Sequence, residues 1–142
     1  MGKVMTRVKL TNYVDADKAR EGLLAPEAVR TAEVEALVDT GATSMAIPED
    51  VRALLGLAVL GVRRAKLADG SVLAFPWVGG LVVEICGRET TCDALVGPAG
   101  TTPLVGQIPL EALDLLVDAK TGDVHVNPAS PDMPCLDLLA VA

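Results

Sequence analysis

The stretch ALVDTGATSM, residues 36–45, decides how the rest of the chain is interpreted. An apolar run delivers Asp39 to a tight turn, where Gly41 lets the backbone approach the carboxylate and direct an N–H group at it. The hydroxyl of Thr40 is placed to hydrogen-bond across the turn. Apolar residues on both sides of the turn predict a water-poor site. Such surroundings shift the pKa of a carboxyl group, so its protonation state can serve acid–base chemistry.

Outside this stretch the sequence alternates between apolar and polar residues with period two, which is typical of β-strands. The alternation predicts strands over residues 4–14 and 29–38, the second ending in residues 36–38 buried on both faces. Residues 15–24 are charged and contain Gly22, and they are predicted to form a loop.

Two short helices are expected among the strands. Pro48 opens the first and Gly56 ends it, while the second follows Pro109. With its many short strands, the chain is predicted to be a mostly β protein, a small closed or nearly closed β-barrel with two short helices. Its 142 residues predict one domain over residues 1–142.

Two hairpins are predicted in the middle of the chain. Asp69-Gly70 is a strong tight-turn dipeptide, and residues 87–89 mark a second turn. The second hairpin is expected to bring Cys86 and Cys92 near each other. After it, residues 121–123 form a further turn before the strand that holds His125, the one histidine.

The composition excludes several classes of protein. Hydrophobic residues make up 51% of the chain, which is too many for a disordered protein. A net charge of −7 and 2% aromatic residues argue against nucleic-acid binding. The longest uncharged stretch, residues 94–110, holds three prolines, so no membrane span is expected. The charged residues 1–10 lack the apolar run of a secretory signal, which predicts a cytoplasmic protein.

The cysteines and the histidine restrict the chemistry further. Three cysteines without an export signal suggest reduced thiols. One histidine and no C-x-x-C pair argue against a metal site. The presence of a single histidine also argues against a Ser-His-Asp or Cys-His catalytic site. No cofactor is expected.

Three motifs in the right order resemble those of the retropepsin-like aspartic proteases, in particular the small bacterial members related to retroviral proteases. Asp39-Thr40-Gly41 is similar to the catalytic triplet of that family. Residues 66–73, which we call the flap, are similar to the hairpin that closes over substrate. Residues 104–106, Leu-Val-Gly, are similar to the segment that packs against the catalytic loop. The resemblance covers residues 34–126 and implies a retropepsin-type barrel.

The resemblance also implies roles for individual residues. Asp39, Thr40 and Gly41 would be catalytic, and the substrate-binding residues would be Ala42, Thr43, Leu67, Ala68, Asp69 and Gly70. Two differences from the retroviral enzymes concern dimer contacts and the substrate clamp. Gln107-Ile108 stands where they have a basic residue followed by Asp or Asn, and Thr43-Ser44 stands where acidic residues are common.

Aspartic-protease chemistry needs two carboxylates that share one proton, and this chain has a single D-[ST]-G triplet. The resemblance therefore implies a symmetric homodimer that pairs Asp39 with its mate and cleaves a polypeptide. Residues 136–141 are expected in the dimer interface. Met1 suggests a protein of its own and not a segment processed from a polyprotein.

Three further expectations accompany this interpretation. Met45, Ile47, Leu67 and Leu73 are candidates for lining apolar side-chain pockets, although each is more often simply core. Ala42 replaces a hydroxyl residue found in some family members, which predicts activity at mildly acidic to near-neutral pH. The alternative function is a catalytically silent module of the same fold that binds peptides or dimerises.

Overall fold

The computed structural model describes residues 3–138, and its architecture is a β-barrel with short helices at its edges. Within these residues, nine strands and three α-helices follow one another: β1 (Val4–Asn12), α1 (Tyr13–Arg20), β2 (Thr31–Val38), β3 (Met45–Pro48), α2 (Glu49–Leu55), β4 (Val59–Lys66), β5 (Val72–Ile85), β6 (Arg88–Gly97), β7 (Leu104–Val105), α3 (Gln107–Ala112), β8 (Leu115–Asp118) and β9 (Asp123–Val126). A single 3₁₀ turn, Pro26–Ala28, precedes β2.

Six of these strands form a closed ring. The order around it is β1-β2-β7-β3-β6-β5, and β5 then pairs with β1 to close the barrel. Strand β4 pairs with β5 outside the ring, and β8 and β9 form a separate hairpin. The predicted mostly β barrel is thus confirmed.

The barrel interior is aliphatic, as the composition required. Alternate residues of the ring strands point inward, so that one face of each strand is buried. The fully buried side chains include Val8, Leu10, Ile47, Val78, Leu81, Val83 and Val105. Met45 and Ile47 belong to this core with 1% of their surface exposed each, so they do not line a surface pocket as considered from the sequence.

The region after β1 differs from the prediction. Residues 13–20 form helix α1, so β1 ends at Asn12, and the predicted loop is wrong for residues 15–20 but right for residues 21–24. Asn12 caps the helix, because its side-chain oxygen accepts a hydrogen bond from the Asp15 N–H at 3.0 Å. Its amide group also donates to the Leu55 carbonyl at 2.8 Å, which ties α1 to α2.

An ion pair fixes the same corner of the molecule. The Arg30 guanidinium donates to both carboxylate oxygens of Asp15, at 2.8 and 3.0 Å. These bonds lower the pKa of Asp15 to about 2. Together with the Asn12 cap they hold a helix that has no apolar stripe of its own.

The two predicted helices are present, and α1 makes a third. Helix α2 begins after Pro48 and ends at Gly56, whose φ of 65° suits a glycine C-cap. Helix α3 begins at Gln107, two residues before Pro109, and so earlier than predicted. Among residues 3–138, no helix is both long and apolar enough to span a bilayer.

The second hairpin turns at Cys86-Gly87, not at residues 87–89. Both turn residues have positive φ, 53° and 78°, and β6 begins directly afterwards at Arg88. The register pairs Cys92 with Leu81, so Cys86 and Cys92 are not neighbours across the hairpin and that prediction is wrong. The three cysteines are free, and His125 lies on β9 as predicted.

Candidate active site

The candidate active site is built on the loop between β2 and β3, residues 39–44, which we call the Asp39 loop. Strand β2 runs parallel to β7, with Val38 opposite Val105. The Asp39 N–H continues this ladder by donating to the Val105 carbonyl at 2.9 Å. The carboxylate therefore projects from a backbone position that the barrel itself fixes.

Hydrogen bonds within the loop orient the Asp39 side chain. The Gly41 N–H donates to Oδ1 of Asp39 at 2.9 Å, which confirms the geometry expected from the sequence. A Cβ atom at Gly41 would lie 3.2 Å from the same oxygen, so glycine leaves the approach open. The Ala42 N–H donates to the Asp39 carbonyl at 3.1 Å and closes the turn.

The start of α3 holds the loop from its other side. The Gln107 N–H donates to the Ala42 carbonyl at 2.7 Å, and the Ile108 N–H donates to the Thr43 carbonyl at 2.9 Å. The first N–H groups of a helix lack partners within the helix, and here the Asp39 loop supplies them. The backbone of residues 107 and 108 thus supports the loop without a basic or acidic side chain at either position.

Gly106 permits this contact. A Cβ atom at that position would meet the Ser44 carbonyl, and would lie 2.7 Å from the Ala42 carbonyl oxygen and 2.8 Å from the Ser44 nitrogen. Backbone atoms cannot move aside as flexible side chains can. Glycine is therefore required at position 106 for space alone.

The Asp39 carboxylate is exposed to solvent in the single chain. Asp39, Thr40 and Gly41 are all exposed, so the prediction of a water-poor site is wrong for this chain alone. Among residues 3–138 the Thr40 hydroxyl makes no hydrogen bond across the turn, contrary to expectation. Apolar residues near the loop pack into the barrel core, and none of them covers the carboxylate.

On the side of Asp39, the barrel has a face whose side chains are half-buried. On β2 the half-buried Leu37 alternates with the buried Ala36 and Val38, so the predicted burial of both faces is wrong, and the exposed Asp39 follows the strand. The cross-strand partners of Leu37 continue this half-buried row onto five neighbouring strands. The row, which we call the open face, runs through Leu37, Leu104, Ala46, Leu95, Trp77 and Gly61.

The open face was missed from the sequence. Its members come from β2, β7, β3, β6, β5 and β4, and their alignment depends on the register of strands far apart in the chain. The period-two alternation indicated that such a face exists but not which residues share it. It leads from the strand before Asp39 to the hairpin that carries the flap.

The flap is the exposed end of the β4–β5 hairpin. The Leu67 N–H donates to the Ser71 carbonyl at 2.8 Å, and the Gly70 N–H donates to the Leu67 carbonyl at 2.9 Å. The Asp69 carboxylate accepts hydrogen bonds from both the hydroxyl and the N–H of Ser71, which lower the pKa of Asp69. The turn predicted at Asp69-Gly70 is confirmed.

The structure divides the predicted site residues into two groups. Hydrogen bonds join Asp39, Gly41, Ala42 and Thr43 within one supported loop. The flap residues Leu67, Ala68, Asp69 and Gly70 are all exposed, and their hydrogen bonds are internal to the hairpin. Their assigned roles in catalysis and substrate binding stay predictions.

An open cleft of about 720 Å³ lies beside the Asp39 loop. Thr40 lies on its rim, and its lining includes the exposed side chains of Ile108, Leu116 and Leu136. Gln107 also borders the cleft, and its side chain donates to Glu111 on α3 at 2.9 Å. The region around Asp39 therefore presents apolar surface to solvent.

A partly buried polar cluster fixes the tail that forms one wall of this cleft. The Asp114 carboxylate accepts hydrogen bonds from the Ser130 hydroxyl, the Asn127 amide at 3.1 Å and the Cys135 N–H at 3.1 Å. These bonds lower the pKa of Asp114. The buried Arg88 donates to the carbonyls of Leu113, Asp114 and Ser130. No local sequence signal indicated this cluster, because its members come from three separate segments.

In the part of the chain that the structure describes, no three His, Cys, Asp or Glu side chains gather as a metal site requires. The tail residues 139–141, expected in a dimer interface, lie outside the described residues, while Leu136 and Leu138 are exposed.

Comparison with known families places the chain. The model of the family described as "gag-polyprotein putative aspartyl protease" matches residues 28–112, which is more than half of the chain. The match includes the Asp39 loop, the flap and α3 up to Ala112. A comparison with curated proteins finds no match. On the family match, and with the geometry of the barrel and the Asp39 loop, the chain belongs to the gag-polyprotein aspartyl protease family.

Proposed function

We propose that this protein is an aspartic endopeptidase whose active site is completed by a second copy of the chain. The observation that supports this most directly is the Asp39 loop. An exposed carboxylate receives an N–H bond from Gly41 and stands on a loop tied by backbone bonds to β7 and α3. Such a rigid support suits a group that must meet a second carboxylate in a defined geometry.

The second carboxylate must come from another chain. The sequence holds one D-[ST]-G triplet, and Asp118 and Asp123, the acidic residues of β8 and β9, belong to a different hairpin. A two-fold axis beside Asp39 would place two identical carboxylates together. It would also bury Asp39 and supply the water-poor surroundings that the single chain lacks.

The surface near Asp39 supports a partner chain. Ile108 is 50% exposed, Leu116 42% and Leu136 57%, and all three line the cleft on whose rim Thr40 lies. Burying aliphatic side chains stabilises association by about 25 cal/mol for each Å² removed from water. We infer that this cleft and the tail from Leu136 onward belong to the dimer interface.

The chemistry depends on one proton shared by two carboxylates. The ionised Asp39 takes a proton from a water molecule, whose oxygen attacks the scissile carbonyl carbon. The protonated Asp39 of the other copy gives its proton to the carbonyl oxygen, and a tetrahedral diol results. The first Asp39, now protonated, gives its proton to the amide nitrogen, while the second Asp39 takes a proton back from the diol. The C–N bond then breaks, and the dyad regains its starting state.

A polypeptide in extended form fits the open face. Leu37, Leu104 and Ala46 form its half-buried aliphatic part nearest to Asp39. Such a surface favours apolar side chains beside the scissile bond. The face ends on β5 and β4, the two strands that carry the flap, and we infer that the flap covers a bound chain. The three free cysteines are compatible with a reducing compartment such as the cytoplasm.

The test is a digest of a peptide library across about pH 4 to 8, with and without a statine-type mimic of the tetrahedral diol. The proposal predicts cleavage between apolar residues, inhibition by the mimic, and a dimer by analytical ultracentrifugation. Tight binding of peptides without cleavage would favour the silent binding module. If no peptide is cleaved and the mimic does not bind, the protease proposal is refuted.

A further inference from the structure

Three side chains meet at the root of the flap, one from each of the neighbouring strands β4, β5 and β6. The Arg63 guanidinium lies over the Trp77 ring, with Cζ 3.7 Å from the ring centroid. Its Nη1 atom donates to Oδ2 of Asp93 at 3.3 Å. We call Arg63, Trp77 and Asp93 the flap-root cluster, in which one planar cation joins three strands.

Two glycines make room for this cluster. A Cβ atom at Gly61 would lie 2.9 Å from Nε1 of Trp77, so the indole rests directly on the β4 backbone. A Cβ atom at Gly79 would lie 3.3 Å from Oδ1 of Asp93. Neither glycine has a positive φ, so both serve close approach and not an unusual backbone conformation.

The strands change register at the same place. The pairing of β4 with β5 shifts between Val59 and Gly61, and the pairing of β5 with β6 shifts between Val78 and Leu81. A β-bulge bends its strand and changes the direction of the residues beyond it. The flap-root cluster therefore lies where the direction of the hairpin is set.

Beyond the cluster, the flap has little support from the barrel. Every residue from 66 to 74 is exposed, and Phe75 is the first half-buried side chain on the returning strand. The cation–π contact and the ion pair of Arg63 thus tie the hairpin to its neighbouring strands just below this exposed end. An aromatic face and a guanidinium attract each other even where both are partly solvated.

Asp93 also connects the cluster with the Asp39 loop. The Ser44 hydroxyl donates to the Asp93 carbonyl at 3.2 Å. One residue of β6 therefore contacts Arg63, at the root of the flap, through its side chain and the Asp39 loop through its main chain.

We propose that Arg63, Trp77 and Asp93 are positioning residues that set the angle of the flap over the Asp39 loop and thereby determine how tightly substrate is held. The proposal rests on the proposed protease function and adds the residues that orient its cover. Loosening the cluster leaves the carboxylates untouched, so it weakens the holding of substrate and not the chemical step.

The first experiment needs no activity. Arg63→Lys keeps the charge but loses the planar group that stacks on the ring, and Asp93→Asn removes the ion pair. Trp77 is the single tryptophan, so its fluorescence reports on the cluster. We expect red-shifted emission, greater quenching by acrylamide and faster hydrogen exchange of the flap amides in both variants. Arg64→Lys, at the exposed neighbouring position, should leave all three unchanged.

The second experiment separates positioning from a general loss of structure. In both variants we expect KM for a cleaved peptide to rise about 2- to 10-fold, with kcat nearly unchanged. A double variant that exchanges the two charges, Arg63→Glu with Asp93→Arg, should reverse part of the rise in KM. Unchanged flap exchange and unchanged emission would overturn the proposal, as would a fall in kcat with KM unaltered. If the wild-type protein cleaves no peptide, the protease function fails, while flap exchange still decides whether the cluster positions the flap.

Discussion

The Asp39 loop and the flap are both turns between strands, but they are held in opposite ways. The Asp39 loop is tied by backbone groups of β7 and α3 to the rest of the barrel, and Gly106 packs against its carbonyls. The flap turn is held by its own residues, with Asp69 accepting from Ser71. The loop is thus part of the scaffold, whereas the flap is an appendage fixed only at its root.

The difference matches what the proposed function requires of each region. Two carboxylates that share a proton must keep a constant separation, which needs supports that do not titrate or change rotamer. A cover over a bound peptide must open and close, and such elements come from the least stable parts of a structure. Substitutions in the two turns can test this division between a fixed loop and a movable flap, and the largest effect is expected at Asp39.

Asp39→Asn should abolish peptide cleavage, with a loss of at least about 100-fold, because the general base is removed. The fold should persist, since the side chain is exposed and an asparagine oxygen can still accept the Gly41 N–H bond. Peptide cleavage and thermal unfolding measure the two effects. Asp123→Asn, another exposed aspartate, is the matched control and should retain activity.

The same variant tests whether the active site is shared between chains. Mixing equal amounts of wild-type and Asp39→Asn chains, with exchange of subunits, should leave about a quarter of the dimers fully wild type. Activity should then fall below that of wild-type protein at the same wild-type concentration. Activity that follows the wild-type concentration alone would mean that each chain acts by itself.

Gly106→Ala should disrupt the Asp39 loop and lower the free energy of unfolding by about 2–3 kcal/mol, because the new methyl group meets fixed backbone atoms. The accompanying displacement of Asp39 should cost about 100-fold in kcat/KM. Gly97→Ala, with its nearest contact at 3.4 Å from a Thr101 side chain, is the control for adding a methyl group to a glycine.

Gly70→Ala in the flap should have a smaller effect with a different cause. Nothing lies within 4 Å of a Cβ atom there, but φ is 87°, which disfavours any residue with a side chain. We expect a loss of about 1 kcal/mol in the free energy of unfolding, measured by urea denaturation. A loss as large as that of Gly106→Ala would contradict the contrast between the two turns.

The flap turn should also respond to pH, unlike the backbone bonds between α3 and the Asp39 loop. Bonds from Ser71 lower the pKa of Asp69 below its ordinary value of 3.8, so they stabilise the turn above that pH and are lost as pH falls through the lowered pKa. Hydrogen-exchange protection of Ser71 should fall on acidification, while that of Gln107 and Ile108, which donate to carbonyls, should not. In Asp69→Asn the dependence at Ser71 should disappear.

The smallest expected effect concerns Ala42. A serine at this position would bring a hydroxyl group close to Asp39 and favour the ionised dyad. The pH–rate profile of Ala42→Ser should therefore move toward acid by less than about one pH unit. A profile that stays in place or moves toward neutral pH would contradict this account of the alanine.

Local signals explain what the sequence predicted well. Asp39 and Gly41 lie two residues apart, and the flap turn depends on Asp69 and Gly70, so both conformations are set by neighbours along the chain. The family's pattern of motifs then placed these turns in one barrel. Helix α1 was missed because it has no apolar stripe, although Asn12 followed by Asp15 is a recognisable helix-capping signal.

Long-range contacts explain the rest. Helix α3 begins earlier than Pro109 suggested because the Asp39 loop accepts its first N–H groups, which only the folded chain brings together. Asp39 is likewise exposed because the apolar residues near its loop pack into the barrel core and do not cover the carboxylate. The open face and the flap-root cluster depend on strand register, since a shift by one residue would exchange the inner and outer faces.

Strand β1 has a practical consequence for work with fragments of this protein. The family match begins at residue 28, so β1 (Val4–Asn12) lies outside it, yet β1 pairs with both β2 and β5. A fragment trimmed to the matched residues would leave two long strands with unpaired N–H and carbonyl groups. Such free edges recruit other chains and promote aggregation. Inclusion bodies from a trimmed fragment would therefore result from the missing strand β1 and would say nothing about the activity of the protein.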